Sequence, residues 1–298
     1  MELQLIELYV WICLVYDKHP GLKYQRLSNN WQPDFTDQEL LTVYLFGHLQ
    51  GQFEQKRIYN YIKQHFSAWF PRLPSYQAFN QRMNEAAAVF EVLIFELLNG
   101  WQALPDYFGE VIINEDCVID SLPIMLAVRG RSGRARVASQ LADVGYCASK
   151  QMYYHGVKLH VLGRKRIAQL PRPETITMSA ASVHDLPILE ELHGTVWGNL
   201  FADKAYQDRW TTQEFEKQGV ILCTPDKKRK NTQVYEVGKS GLWSRFVSAM
   251  KQPIESFFNW INEQTAIQNG SKIRSMAGLL VHCYGKLTAA LFILRFNP

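Results

Sequence analysis

The chain has 298 residues, 47% of them hydrophobic and 20% charged, with a formal net charge of +4. That composition excludes a disordered chain, and the length gives one or two domains with enough residues to bury a core. No uncharged apolar run reaches the roughly 18 residues of a membrane span. The longest near the end, 287–294, is too short, and Glu2 and Glu7 make a poor signal peptide. The expectation is therefore a cytoplasmic protein with no membrane partner. Five cysteines occur singly, at positions 13, 117, 147, 223 and 283, with no CxxC pair. That argues against a zinc finger or a disulfide framework.

Residues 1–100 read as helices. Residues 3–16 are apolar on nearly every face, which predicts a buried helix. Thr36 and Glu39 have capping-box spacing before Leu40, Leu41, Tyr44 and Leu45. A third helix follows over about 53–66. Ser75 then caps a helix carrying Phe79, Met83, Phe90, Leu93, Ile94 and Leu97 on one side. Gly100 and Pro105 close the region.

From residue 111 the pattern changes. Residues 111–113 and 117–126 have strand composition. Val157, Leu159 and Val161 alternate with Lys158 and His160, the period of a half-buried strand. Residues 175–177, 200–201 and 220–222 are further short strands, and 187–192 a short helix. The end is helical again. A helix beginning near Pro253 places Ile254, Phe257, Phe258 and Ile261 on one stripe, and Ile273 to Leu294 supply another. The order predicts an α/β fold with a partly antiparallel first half.

Charge is unevenly spread. Residues 1–120 hold 8 Lys/Arg against 15 Asp/Glu, whereas 121–170 hold 9 against Asp143 alone. A second basic block contains Lys227, Lys228, Arg229 and Lys230. Such blocks suit a polyanion through counterion release, and equally suit solvated loops.

Three carboxylates stand out by position. Asp120 follows Val118 and Ile119 inside an apolar strand, where a charge needs a partner such as a metal. Asp203 directly follows Leu200-Phe201-Ala202, at the C-terminal end of a strand, where α/β sites form. Glu255 sits beside the late apolar stripe, with Lys251 and Asn259 at i−4 and i+4. Two aspartates and a glutamate form a hard-oxygen set suited to Mg²⁺ or Mn²⁺. Paired ions of this kind serve phosphodiester chemistry. Each carboxylate taken alone fits a structural role better, and it is their combined placement that points to a site; Asp116 and Asp185 are rivals.

In order and spacing, Val118-Ile119-Asp120-Ser121-Leu122-Pro123, Gly156-Val157-Lys158-Leu159-His160, Leu200-Phe201-Ala202-Asp203-Lys204-Ala205-Tyr206 and Ile254-Glu255-Ser256-Phe257-Phe258 resemble a known family. So does the tail with His282, Gly285 and Lys286. The family is that of DDE-type bacterial insertion-sequence transposases, and the resemblance covers nearly the whole chain. It implies a ribonuclease H-like mixed sheet flanked by helices over 106–298, with C-terminal helices. Residues 1–105 would form an all-α, helix-turn-helix-like region that binds the DNA ends.

The resemblance further implies that Asp120, Asp203 and Glu255 hold two Mg²⁺ or Mn²⁺ ions. The enzyme would cut double-stranded DNA at the element's terminal inverted repeats and join the 3′-hydroxyl to target DNA. Lys158, Lys204, Lys251, Arg245 and the 227–230 cluster would contact phosphates. Gln77, Asn80, Gln81 and Arg82 would read base edges from a recognition helix. A plain bundle helix is equally consistent there, because the region is acidic. His160 and His184 are expected to be structural, with a supporting role behind the metal ligands as the alternative. A homodimer on DNA is implied, since two ends are joined.

One departure concerns the Tyr, Arg and Lys that relatives carry around the Glu. Here those positions are Ser248, Lys251 and Asn262. Competing expectations are a related metal-dependent nuclease that cuts without joining, a catalytically inactive DNA-binding regulator, and an unrelated phosphohydrolase.

Overall fold

The computed structural model of the chain describes residues 1–25, 33–102, 116–191, 196–226 and 234–296. The expected strand at 111–113 and the basic cluster Lys227, Lys228, Arg229 and Lys230 lie outside them. The chain divides into two compact units. One is Met1–Pro105 with Arg136–Gln140 and Ile261–Pro298; the other is Asp106–Ala135 with Leu141–Trp260. Packing thus groups the C-terminal helices with the N-terminal ones.

The helical unit contains α1 (Glu2–Lys18), α2 (Asp37–Leu49), α3 (Gln55–His65), α4 (Tyr76–Glu85) and α5 (Val89–Gln102). Thr36 caps α2 with the expected reciprocal bonds: its Oγ1 accepts from Glu39 N at 3.1 Å, and the Glu39 carboxylate accepts from Thr36 N at 2.6 Å. Every α2 residue from Leu40 to His48 is buried. Gly47 permits this, because a Cβ there would lie 2.4 Å from Ile58 Cγ2 on α3.

Two expectations change. α1 is buried on one side only, through Leu5, Leu8, Ile12, Val15 and Tyr16, while Leu3, Val10 and Leu14 are exposed. The single helix expected after Ser75 is two, α4 and α5. Met83 and Phe90 lie seven positions apart, so apolar phase passes unbroken through the intervening turn.

The unit is completed by a continuous helical run: α9 (Met276–Leu280), a π-helical turn (Val281–Gly285) and α10 (Lys286–Phe296). By length and composition this 21-residue run could cross a membrane, which counting only its uncharged part as 287–294 missed. About 67% of its most apolar stretch is buried within the protein, as in a core helix.

The second unit is built on a six-stranded sheet: β1 (Cys117–Val128), β2 (Asp143–Cys147), β3 (Met152–Arg166), β4 (Gln169–Ala180), β5 (Gly198–Phe201) and β6 (Val220–Cys223). Strand order is β2-β3-β1-β5-β6, with β4 also paired to β3. The strands β1 to β4 pair antiparallel, whereas β1, β5 and β6 run parallel. Helices α6 (Asp185–Glu191), α7 (Arg209–Lys217) and α8 (Val234–Thr265) accompany the sheet. This mixed sheet with flanking helices is ribonuclease H-like.

β3 is buried on both faces rather than one. Val157, Leu159 and Val161 are buried, and so is His160 at 2% exposure. Its alternation separates an apolar face from a buried polar one. Helix α8 begins well before Pro253, which lies in its interior. Proline favours a first helical turn, hence the expected start there. The missing N–H is tolerated where Val247, Lys251, Ile254 and Phe257 bury the helix's inner side.

Candidate active site

The two aspartates meet through strand register. On parallel β1 and β5, Cys117 pairs with Leu200 and Val118 with Phe201. Asp120 and Asp203 each stand two residues beyond a paired position, so they extend the same register side by side. Alternation sends Ile119 and Ala202 to the opposite face, into a core with Cys117, Leu162, Leu189, Leu200, Tyr206 and Phe215. The Asp120 face carries Phe201, whose ring meets Phe246 of α8 edge-on at 6.0 Å. Helix α8 therefore covers this face and presents its buried side to the carboxylates.

From that side comes Lys251. Its Nζ lies 2.5 Å from Asp203 Oδ1 and 3.4 Å from Asp120 Oδ2. The lysine side chain is 3% exposed, Asp120 19% and Asp203 57%. Burial pushes the Asp120 carboxyl up to about 6; Lys251 opposes this, while Asp203 adds to it. Burial also disfavours the Lys251 ammonium, but Asp120 and Asp203 outweigh it and raise its pKa. The Asp120 carboxylate is tied further by Ser121 N, which donates to Oδ1 at 2.8 Å.

Glu255 lies one turn beyond Lys251 on α8 and is exposed. It has no ion pair among the described residues. No three His, Cys, Asp or Glu side chains among the described residues form a set that could hold a metal ion. The aspartates are thus brought together, and Glu255 is near in sequence to their lysine but outside their ion cluster.

A family model described as a transposase DDE domain matches residues 113–274. The chain belongs to the DDE transposase family. No curated protein and no solved structure matches it. As a DDE transposase it acts on DNA in transposition and recombination, and the family uses divalent metal ions. The donor set fits such an ion: two hard carboxylate oxygens already share one cation, the Lys251 ammonium.

The transposase's other predicted contacts are distributed unevenly. Lys204, in the short turn after Asp203, and Arg245 on α8 are exposed. Lys158 is not directed at solvent: its Nζ bonds Asp185 Oδ1 at 2.5 Å, and its side chain is 14% exposed. It lies on β3's second buried face, where a lysine needs an internal partner. His160 shares that face, with Nε2 2.8 Å from Ser179 Oγ, and burial holds its pKa down to about 4. Asp185 thus partners Lys158, and the other rival, Asp116, accepts from Asn199 Nδ2 at 2.9 Å.

On α4, Arg82 pairs with Asp37 at 2.9 Å and lies over the Phe35 ring. Gln81 donates to Glu85 at 3.0 Å, and Gln77 is exposed. Asn80 lines a cleft with Tyr76 and Asn84. Ser248, at the position where relatives carry Tyr, donates to Ser244 O, and Asn262, where they carry Lys, accepts through Oδ1 from Gln268 N, so it supplies no cation there. Sequence reasoning placed Lys251 against phosphate and missed its bond to both aspartates. Its i−4 relation to Glu255 was the available signal, but could not say which of the two turns inward.

Proposed function

We propose that the protein cuts DNA at the ends of an insertion sequence and joins the freed 3′-hydroxyl to target DNA. The observation that carries this is Asp120 and Asp203 side by side in register, with an ammonium bridging them. Asp120, Asp203 and Glu255 would hold the divalent ions, Mg²⁺ or Mn²⁺. When bound, such ions lower the pKa of an attacking water or hydroxyl and neutralise charge on the phosphate.

The chain's own residues prepare that site. Ser121 N fixes one Asp120 oxygen and leaves the other turned to the shared cation. Burial of Asp120 keeps the carboxylate in low dielectric, where its attraction for a cation is strong. Lys251 holds the two carboxylates together before the ion enters and is then free to meet a phosphate oxygen as a point charge. Lys204 and Arg245, exposed, are suited to the DNA backbone. Two copies would act together, one for each end. They would act in the bacterial cytoplasm, where the DNA lies.

The test is cleavage of a labelled duplex carrying the element's end, with Mg²⁺, comparing wild type with Asp203→Asn. Cutting and joining lost in the variant, with DNA binding kept, is the expected result. Unchanged cutting would refute the assignment. The outward position of Glu255 favours a second reading, a catalytically inactive DNA-binding regulator. Specific binding without cutting by wild type would select it. Cutting without joining would select a nuclease.

A further inference from the structure

The helical unit contains a cleft of about 500 Å³ formed by α3, α4, the 266–275 segment and the π-helical turn. Its lining is cationic. Lys56, Arg57, Lys272, Arg274 and Lys286 line it, against Glu54 as the one acidic side chain. Glu54 is already taken, 2.7 Å from Lys272 Nζ and 3.8 Å from Arg57 Nε.

Lys286 is the decisive residue. It is 5% exposed, and its Nζ donates to Thr265 O at 2.7 Å and Ala266 O at 3.3 Å. An ammonium has three protons, so one remains. No carboxylate lies within ion-pair distance of it among the described residues. A buried cation held only by carbonyl dipoles is costly, and an anion entering the cleft would offset that cost. Nearby His282 bonds Ile267 O and is kept neutral by burial and by Lys286, so it supplies no negative charge.

One wall is a face of α4, with Tyr76, Asn80 and Asn84 at i, i+4 and i+8. The Tyr76 ring is braced edge-on by Tyr59, with centroids 5.5 Å apart. Phosphate-seeking cations beside an aromatic face and two amides are the chemistry of nucleotide recognition. A space of this size suits a nucleotide-sized ligand, not a duplex.

We propose that this cleft binds an unpaired stretch of DNA, one nucleotide deep. Lys286 meets a phosphate at the floor, Lys272 and Arg274 meet flanking phosphates at the rim, Tyr76 stacks on the base, and Asn80 and Asn84 bond its edge. The inference rests on the reading of the protein as a DNA transposase and adds a single-strand site to it.

The test uses the full chain and a fluorescein-labelled six-nucleotide single strand of mixed sequence, in EDTA so that nothing is cut, read by anisotropy. Lys272→Glu combined with Arg274→Glu, both at exposed positions, is expected to weaken binding at least about tenfold. Tyr76→Ala is expected to weaken it about tenfold as well. Melting curves matching wild type exclude misfolding. No binding, binding unchanged in both variants, or equal competition by a polyglutamate peptide would each overturn the proposal. The two readings fail separately. If Asp203-dependent cutting holds but the oligonucleotide does not bind the cleft, this inference alone falls. If the cleft variants release the oligonucleotide while cutting ignores Asp203, the inference stands and the catalytic assignment falls.

Discussion

Lys251 in the sheet unit and Lys286 in the helical unit are buried to nearly the same degree, at 2% and 5% exposure. Their protonation moves in opposite directions. Lys251 faces two carboxylates, which overcome burial and raise its pKa. Lys286 faces carbonyl oxygens, and burial lowers its pKa to about 8, against the opposing effects of Cys283 and Glu54. Burial alone therefore says little about a lysine; the formal charge of its neighbours decides. Lys251 stands where a cation is wanted, and Lys286 where an anion is.

The strongest test of the first half of this contrast removes a carboxylate. Asp120→Asn is expected to lower cutting at least about a hundredfold, more than loss of an outer-shell partner costs. Activity near wild type in a cleavage assay would mean that the carboxylate pair is structural.

Removing the lysine is the next largest effect. Lys251→Met leaves Asp120 and Asp203 repelling each other and is expected to cost about 2 kcal/mol, discounted because Asp203 is largely exposed. Adding Mn²⁺ should then raise the melting temperature of the variant more than that of wild type. Equal shifts would show that ammonium and metal do not compete for one place.

Lys286 yields a pH signature. Its pKa falls from about 10.4 in an unfolded chain to about 8 when folded. Between those values the unfolded chain holds more protons, so stability rises with pH; below about 8 that contribution is lost. Wild type should gain on Lys286→Met by about 2 kcal/mol between pH 8 and 10. Buried cysteines and tyrosines away from Lys286 titrate in both proteins and cancel in the difference; Cys283, which interacts with Lys286, is replaced by Ala in both proteins so that it does not contribute. A constant gap in melting temperature would mean that Lys286 keeps an ordinary pKa.

The smallest effect calibrates the others. Thr36→Ala should cost the helical unit about 1 kcal/mol through loss of its cap, with cutting unchanged. A loss of cutting would tie the cap to the catalytic unit and blur the contrast.

Much of this was visible in the residues. Asp120 within an apolar strand and Asp203 just past one marked the proposed site, because an unpartnered carboxylate does not belong there. The Thr36 capping box fixed the start of α2, since its signal is local. Pro253 misled about α8, because proline's preference for a first turn is local too and was outweighed by burial of the helix's inner side. Lys158 and Arg82 looked like free cations. Their partners, Asp185 and Asp37, are 27 and 45 residues away, and no local pattern announces such pairs.

The sequence by itself determined the helix and strand types, the two aspartates and the family, because periodicity, caps and motif order are properties of neighbouring residues. Only the tertiary structure decided that Val118 pairs with Phe201, which sets Asp120 beside Asp203. It alone turned Lys251 inward from α8 and brought 266–286 against α3 and α4 to enclose Lys286. Those facts depend on register and packing between segments up to about two hundred residues apart, where the free energy of burial, not local preference, selects the arrangement.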